Sequence, residues 1–129
     1  MTSLLFTLNG ETDGSSTTGD ISLRGDLLYS AVTNIRIPAG LKAKIWCKRI
    51  SGAAVDIFIN FTKDVTAGSP TWNKIDAESL ASAGELTLEK RRPLVVTGIT
   101  GNEAIKVSWS QGAAAKSYVT LEIELTDNE

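Results

Sequence analysis

The chain has 129 residues, 42% of them apolar and 22% charged, which suits one globular domain and argues against a disordered tail, a collagen-like repeat and a coiled coil. Thirteen basic residues against fifteen acidic ones give a formal charge of −2, so no basic surplus marks a general binder of nucleic acid or anionic membranes. Histidine is absent, which removes Ser-His-Asp and Cys-His nucleophile activation and the commonest transition-metal ligand.

In chain order, the first eleven residues, Met1 to Glu11, lack a basic leader and hold too short an apolar run for a signal peptide. No segment approaches membrane-spanning length. The expectation is a soluble product made in the cytoplasm without a signal peptide. Leu4, Phe6 and Leu8 then recur at alternate positions, and after the polar stretch Glu11 to Asp20 come Ile21 and Leu23. Leu27 to Ile37 is a looser strand candidate rich in β-branched residues. From Leu41 to Ile50 the apolar positions Leu41, Ala43, Ile45 and Cys47 alternate with Lys42, Lys44 and Lys48. One face of that strand is core and the other is wet. Val55, Ile57, Ile59 and Phe61 repeat the pattern, a short strand is read near Trp72 to Ile75, and Glu85 to Val96 forms another loose candidate. Ile105, Val107 and Trp109 alternate again, and Val119, Leu121, Ile123 and Leu125 do so most clearly. No stretch carries the i, i+3, i+4, i+7 stripe of a helix.

Glycine- and proline-containing turns such as Pro38-Ala39-Gly40, Ser51-Gly52-Ala53-Ala54 and Ala81-Ser82-Ala83-Gly84 separate these runs at the spacing of a sandwich or barrel, and about eight strands emerge. The fold reading is a single all-β domain over residues 1–129, an antiparallel sandwich resembling a jelly roll, with an immunoglobulin-like sandwich as the alternative. Register adds a constraint. If Leu41 to Ile50 and Val55 to Asp64 form a hairpin, a closed two-residue loop at Gly52-Ala53 puts their apolar faces on opposite sides. Either the turn has an odd number of residues, with a bulge, or the two strands lie in different sheets.

The same alternation places Trp46 and Phe58 on otherwise polar faces beside Lys44, Lys48, Asp56 and Asn60. Aromatics there need covering, by a folded-back loop or by a partner. Trp46, Phe58, Lys44 and Lys48 are therefore the candidate partner-binding residues, with sugar stacking on the rings a lesser option. Cys47 is the only cysteine, so no intrachain disulfide forms, and its apolar surroundings point to inert packing. Glu122 and Glu124 share one face of the last strand roughly 7 Å apart. Glycosidases use such pairs, but Glu/Thr alternation is also the ordinary dress of a solvated strand. Glu11, Asp13, Asp20 and Asp26 are calcium-ligand types without EF-hand spacing, so a solvated loop is the simpler reading. Lys90-Arg91-Arg92 before Pro93 suits a blunted sheet edge better than a phosphate site. Gly98, Gly101 and the other glycines show no Walker or Rossmann spacing. No metal or organic cofactor is expected.

The run Val55-Asp56-Ile57-Phe58-Ile59-Asn60-Phe61-Thr62-Lys63-Asp64, followed by Val65 to Ser69 and by Pro70-Thr71-Trp72-Asn73-Lys74-Ile75, resembles a hairpin common in small β-sandwich proteins of viral and phage particles. Their pattern is a strand, Ser/Thr-x-Asp, a glycine loop, Thr-Trp and a second strand. Similar hairpins occur in extracellular carbohydrate-binding and adhesion modules. With its abundant Ala, Ser, Thr and Gly, the whole chain looks like a structural or decoration protein of a virion. That resemblance implies a non-enzymatic role, homo-oligomerisation, with a trimer as one option, and binding to other shell proteins. It assigns no site residues.

Overall fold

The computed structural model describes residues 3–25, 31–88 and 93–127. Among the described residues there is no helix, and eleven strands form two antiparallel sheets. They are β1 (Leu4–Glu11), β2 (Thr18–Asp20), β3 (Arg24–Gly25), β4 (Ile35–Arg36), β5 (Leu41–Gly52), β6 (Val55–Thr62), β7 (Asn73–Leu80), β8 (Gly84–Thr87), β9 (Leu94–Thr97), β10 (Ala104–Ser110) and β11 (Ser117–Asp127). One sheet runs β3-β1-β11-β5-β8 with β9 also on β5, and the other runs β2-β10-β6-β7 with β4 also on β10.

Eleven strands reduce to the eight rows of a jelly roll. β2 and β4 follow one another along the same edge of β10, and β8 and β9 do so along β5. Counting each pair as one row, and β3 as part of the excursion between β2 and β4, leaves β1-β11-β5-β8/9 facing β2/4-β10-β6-β7. The loose candidates are corrected accordingly. Leu27 to Ile37 is no single strand: a bridge between Leu23 and Val32 and the short β4 lie there, with 26–30 outside the described residues. Glu85 to Val96 holds two strands, β8 and β9, with 89–92 outside the described residues, and Pro93, which has no N–H to give to a ladder, stands just before β9. Trp72 to Ile75 is the start of the longer β7.

Val55 to Thr62 pairs with β7 and β10, not with β5. The expected hairpin between Leu41 to Ile50 and Val55 to Asp64 is thus resolved in favour of different sheets. The turn between them works because Gly52 adopts φ +99, a region open to glycine and costly for a side chain, and because the Ala53 N–H reaches Lys116 O at 3.1 Å. β5 also carries a bulge against β11: Arg49 faces Thr120 and Cys47 faces Leu121, leaving Lys48 without a register partner. The extra residue moves the inward positions from Ala43, Ile45 and Cys47 to Ile50, which is fully buried.

The inner faces supply the core. Leu8, Ile45, Ile57, Ile59, Ile105, Leu121 and Ile123 are each no more than 2% exposed, and burying each such side chain contributes roughly 1.5–3 kcal/mol. Where the chain crosses from β2 to β3 it runs directly over β1. A Cβ on Gly10 would lie 2.9 Å from Ser22 O, so the crossing requires glycine beneath it.

Candidate functional site

The outer face of the β1-β11-β5 sheet carries Trp46, Lys44 and Lys48, and the opposite side of the sandwich carries Phe58. The four expected partner-binding residues therefore form no single surface, because β5 and β6 belong to different sheets. Trp46 is covered within the chain itself: it is 7% exposed, stands outside the central core cluster, and its Nε1 donates to Glu122 Oε1 at 3.2 Å. Of the two coverings expected for Trp46, a partner or the chain itself, the chain supplies one. Lys48 Nζ lies 3.6 Å from Glu122 Oε1 and Lys44 Nζ lies 3.9 Å from Glu124 Oε1. Glu122 and Glu124 do share a face, but each faces its own lysine, and Glu122 also accepts the indole N–H.

Toward the other end of β11 this face exposes Tyr118, and near Glu124 it exposes two aliphatic side chains. Leu5 and Val95 are 54% and 56% exposed. Leu5 pairs Glu124, Glu124 pairs Lys44 and Lys44 pairs Val95. One row across four strands thus reads Leu, Glu, Lys, Leu-like Val, with its apolar ends roughly 14 Å apart at three strand spacings.

On the other outer face Phe58 is half-buried with Lys74 Nζ 4.5 Å from its ring centroid, and Lys106 Nζ sits 4.7 Å from the Trp72 ring. Asn60 Nδ2 donates to Ser108 Oγ at 2.7 Å, and Lys106 also meets Asp20 Oδ2 at 3.3 Å. Ammonium groups thus sit against the rings on which a sugar would stack.

The acidic first loop disperses its carboxylates. Asp13 Oδ1 accepts the N–H groups of Ser15 and Ser16 at 2.9 and 2.8 Å, which hold its carboxyl below the ordinary range. Glu11 Oε1 lies 3.1 Å from Lys116 Nζ, and Asp20 is held by Lys106. Asp26 and Lys90-Arg91-Arg92 lie outside the described residues. Among the described residues no three His, Cys, Asp or Glu side chains gather as metal ligands. Cys47 is buried, and burial together with the negative Glu78 and Asp76 pushes its thiol up to about 12, so thiolate chemistry at neutral pH is suppressed.

Two features escape sequence reasoning. Glu103 is 5% exposed and its carboxylate accepts the N–H groups of Ile99, Thr100 and Gly101 at 3.0–3.2 Å, as well as the Thr100 hydroxyl. The Thr-x-x-Glu spacing of Thr100 and Glu103 was the available signal, since it is the spacing of a capping box. The other feature is a cleft of about 730 Å³ beside the β2 to β3 crossing. β1 brings Asn9 and Glu11 to it, the following loop Asp13, the crossing Asp20 and Arg24, β10 Trp109, and β11 with its preceding loop Tyr118 and Lys116. No local pattern joins residues so far apart in the chain.

No protein-family model matches this chain, and no curated protein matches it in sequence.

Proposed function

We propose that the chain is a non-enzymatic structural protein of a viral particle, which assembles with copies of itself and docks onto other shell proteins. The observation that carries the reading is the row Leu5, Glu124, Lys44, Val95. A two-fold axis parallel to the strands and lying between β11 and β5 sets each copy's Glu124 over the other's Lys44, and each copy's Leu5 over the other's Val95. Such self-complementarity is what an isologous contact requires. The jelly roll adds a fold-level analogy only, since capsid and lectin domains both use it. Sedimentation of the purified protein tests the reading. The wild type is expected to run as a dimer or larger closed assembly, and Leu5→Lys with Val95→Lys as a monomer. Both sites are more than half exposed, so the melting temperature should shift by no more than about 2 °C. A wild type that stays monomeric at high micromolar concentration overturns the proposal.

A second reading, a carbohydrate-binding or adhesion module, draws support from the polar cleft beside the crossing, which combines several charged side chains with an exposed tyrosine.

A further inference from the structure

We infer that the cleft beside the β2 to β3 crossing binds a neutral saccharide. The inference rests on the second reading above, and part of the cleft's lining, Asn9, Glu11 and Tyr118, stands on the same outer face of β1 and β11 that carries the row proposed for assembly. The volume of about 730 Å³ falls in the range that small-ligand sites occupy. Its chemistry narrows the ligand. A polyhydroxylated ring needs acceptors for its hydroxyl protons, donors for its oxygens and a flat apolar surface for its C–H face.

The acceptors are Glu11, Asp13 and Asp20, and each is already positioned from within the protein. Asp13 uses Oδ1 on two backbone N–H groups, Glu11 uses Oε1 on Lys116, and Asp20 uses Oδ2 on Lys106. In Glu11 and Asp20 the other oxygen has no partner among the described residues, so an acceptor is held in place and left uncommitted, whereas Asp13 also takes the Ser15 and Ser16 side chains. Preorganisation of this kind lowers the entropy lost on binding. The donors are the guanidinium of Arg24, which has no partner among the described residues, and the Nδ2 of Asn9, whose Oδ1 is fixed by the Thr120 hydroxyl at 2.9 Å. Tyr118, 48% exposed, gives the flat surface at the rim. Trp109 adds a wall, and its buried Nε1 finds no acceptor among the described residues.

Competing ligand classes fit less well. Three carboxylates against two cations line the cleft, which disfavours a phosphate or polyanion. An apolar ligand would strip water from those carboxylates without replacing its hydrogen bonds. Neutral hydroxyls satisfy both signs of charge without carrying one.

The test is titration calorimetry of the full chain with lactose, maltotriose, mannotriose and N,N′,N″-triacetylchitotriose, with sialyllactose as the charged comparison. At least one neutral sugar is expected to bind saturably. Arg24→Ala and Tyr118→Ala, both at exposed positions, should each weaken it tenfold or more while melting as the wild type does. The Leu5→Lys, Val95→Lys variant keeps Arg24 and Tyr118 and should bind the sugar at least as tightly as the wild type, so its binding reads the cleft and its sedimentation reads the assembly, and failure of one proposal is separable from failure of the other. No saturable binding across the neutral sugars, a preference for sialyllactose, or binding indifferent to both Arg24→Ala and Tyr118→Ala would overturn the inference.

Discussion

Glu103 has a buried charge whose compensation is entirely local. Burial by itself would raise its carboxyl, yet its own backbone N–H, those of Thr100 and Ile99, and the Thr100 hydroxyl outweigh that penalty and hold it below the ordinary value of 4.5. A carboxylate lowered in the folded state stabilises the fold at pH above its unfolded value and loses that contribution as pH falls through the folded one. Glu103→Gln keeps one carbonyl acceptor for a ring of donors that had two oxygens. At neutral pH it is expected to cost about 1–3 kcal/mol, read as a melting temperature lower by roughly 3–12 °C for a chain of this size. The gap between variant and wild type should narrow as pH falls below 4, in a series of melts at stepped pH. A gap that persists unchanged would show that ionisation is not what Glu103 contributes. By contrast, the inert reading of Cys47 was legible in sequence, because its neighbours at alternate positions are Ile45 and Ala43, all inward.

β7 sets the limit of what period-two reasoning reveals. Its inward register positions face Ile57 and Ile59 on β6, and they hold Glu78 and Asp76. Acids stand where apolar residues would announce a strand, so from sequence only the piece near Trp72 was visible. Their place explains their identity. β7 is the last row of its sheet, and inward-pointing charge keeps such an edge from recruiting another chain. The arrangement costs stability: burial and the neighbouring Asp76 raise the carboxyl of Glu78, so its ionised form is disfavoured above that raised value and the strain is relieved as pH falls through it. Replacing Asp76 and Glu78 together by valine is expected to raise the melting temperature and also to cause concentration-dependent aggregation, followed by turbidity and by sedimentation. If the variant is both more stable and fully dispersed, the carboxylates are not guarding the edge. The β5 bulge, in contrast, leaves a trace in the sequence: inward residues fall at Ile45 and Cys47 and then at Ile50, a spacing of three where a regular strand would have two.

At the scale of the molecule, the class of fold follows from alternation, whereas the pairing of rows does not. Strands β1 and β11, more than a hundred residues apart in the chain, are neighbours over eight register pairs from Leu4 with Leu125 to Glu11 with Tyr118. The candidate cleft draws on both of these strands for the same reason, and it was invisible from sequence for that reason too. This closure makes the first strand a structural requirement. Removing residues 1–11 takes Leu8 and Phe6 out of the core, 0% and 8% exposed, at roughly 1.5–3 kcal/mol each. It also strips β11 of one ladder, whose bonds contribute about 0.5–1.5 kcal/mol apiece, and uncovers Ile21 where the crossing lies over Gly10. Together these losses are comparable with the whole stability of a domain, about 5–15 kcal/mol. The truncated chain is therefore expected to show no cooperative melt. A synthetic peptide of residues 1–11 added in trans should restore one by filling the vacant row, as strand addition does elsewhere, with recovery of the near-ultraviolet dichroism of the aromatic side chains as the readout. A truncated chain that melts cooperatively without the peptide would mean that the remaining strands close the sandwich unaided, and that the pairing of the two terminal strands is not what holds the fold.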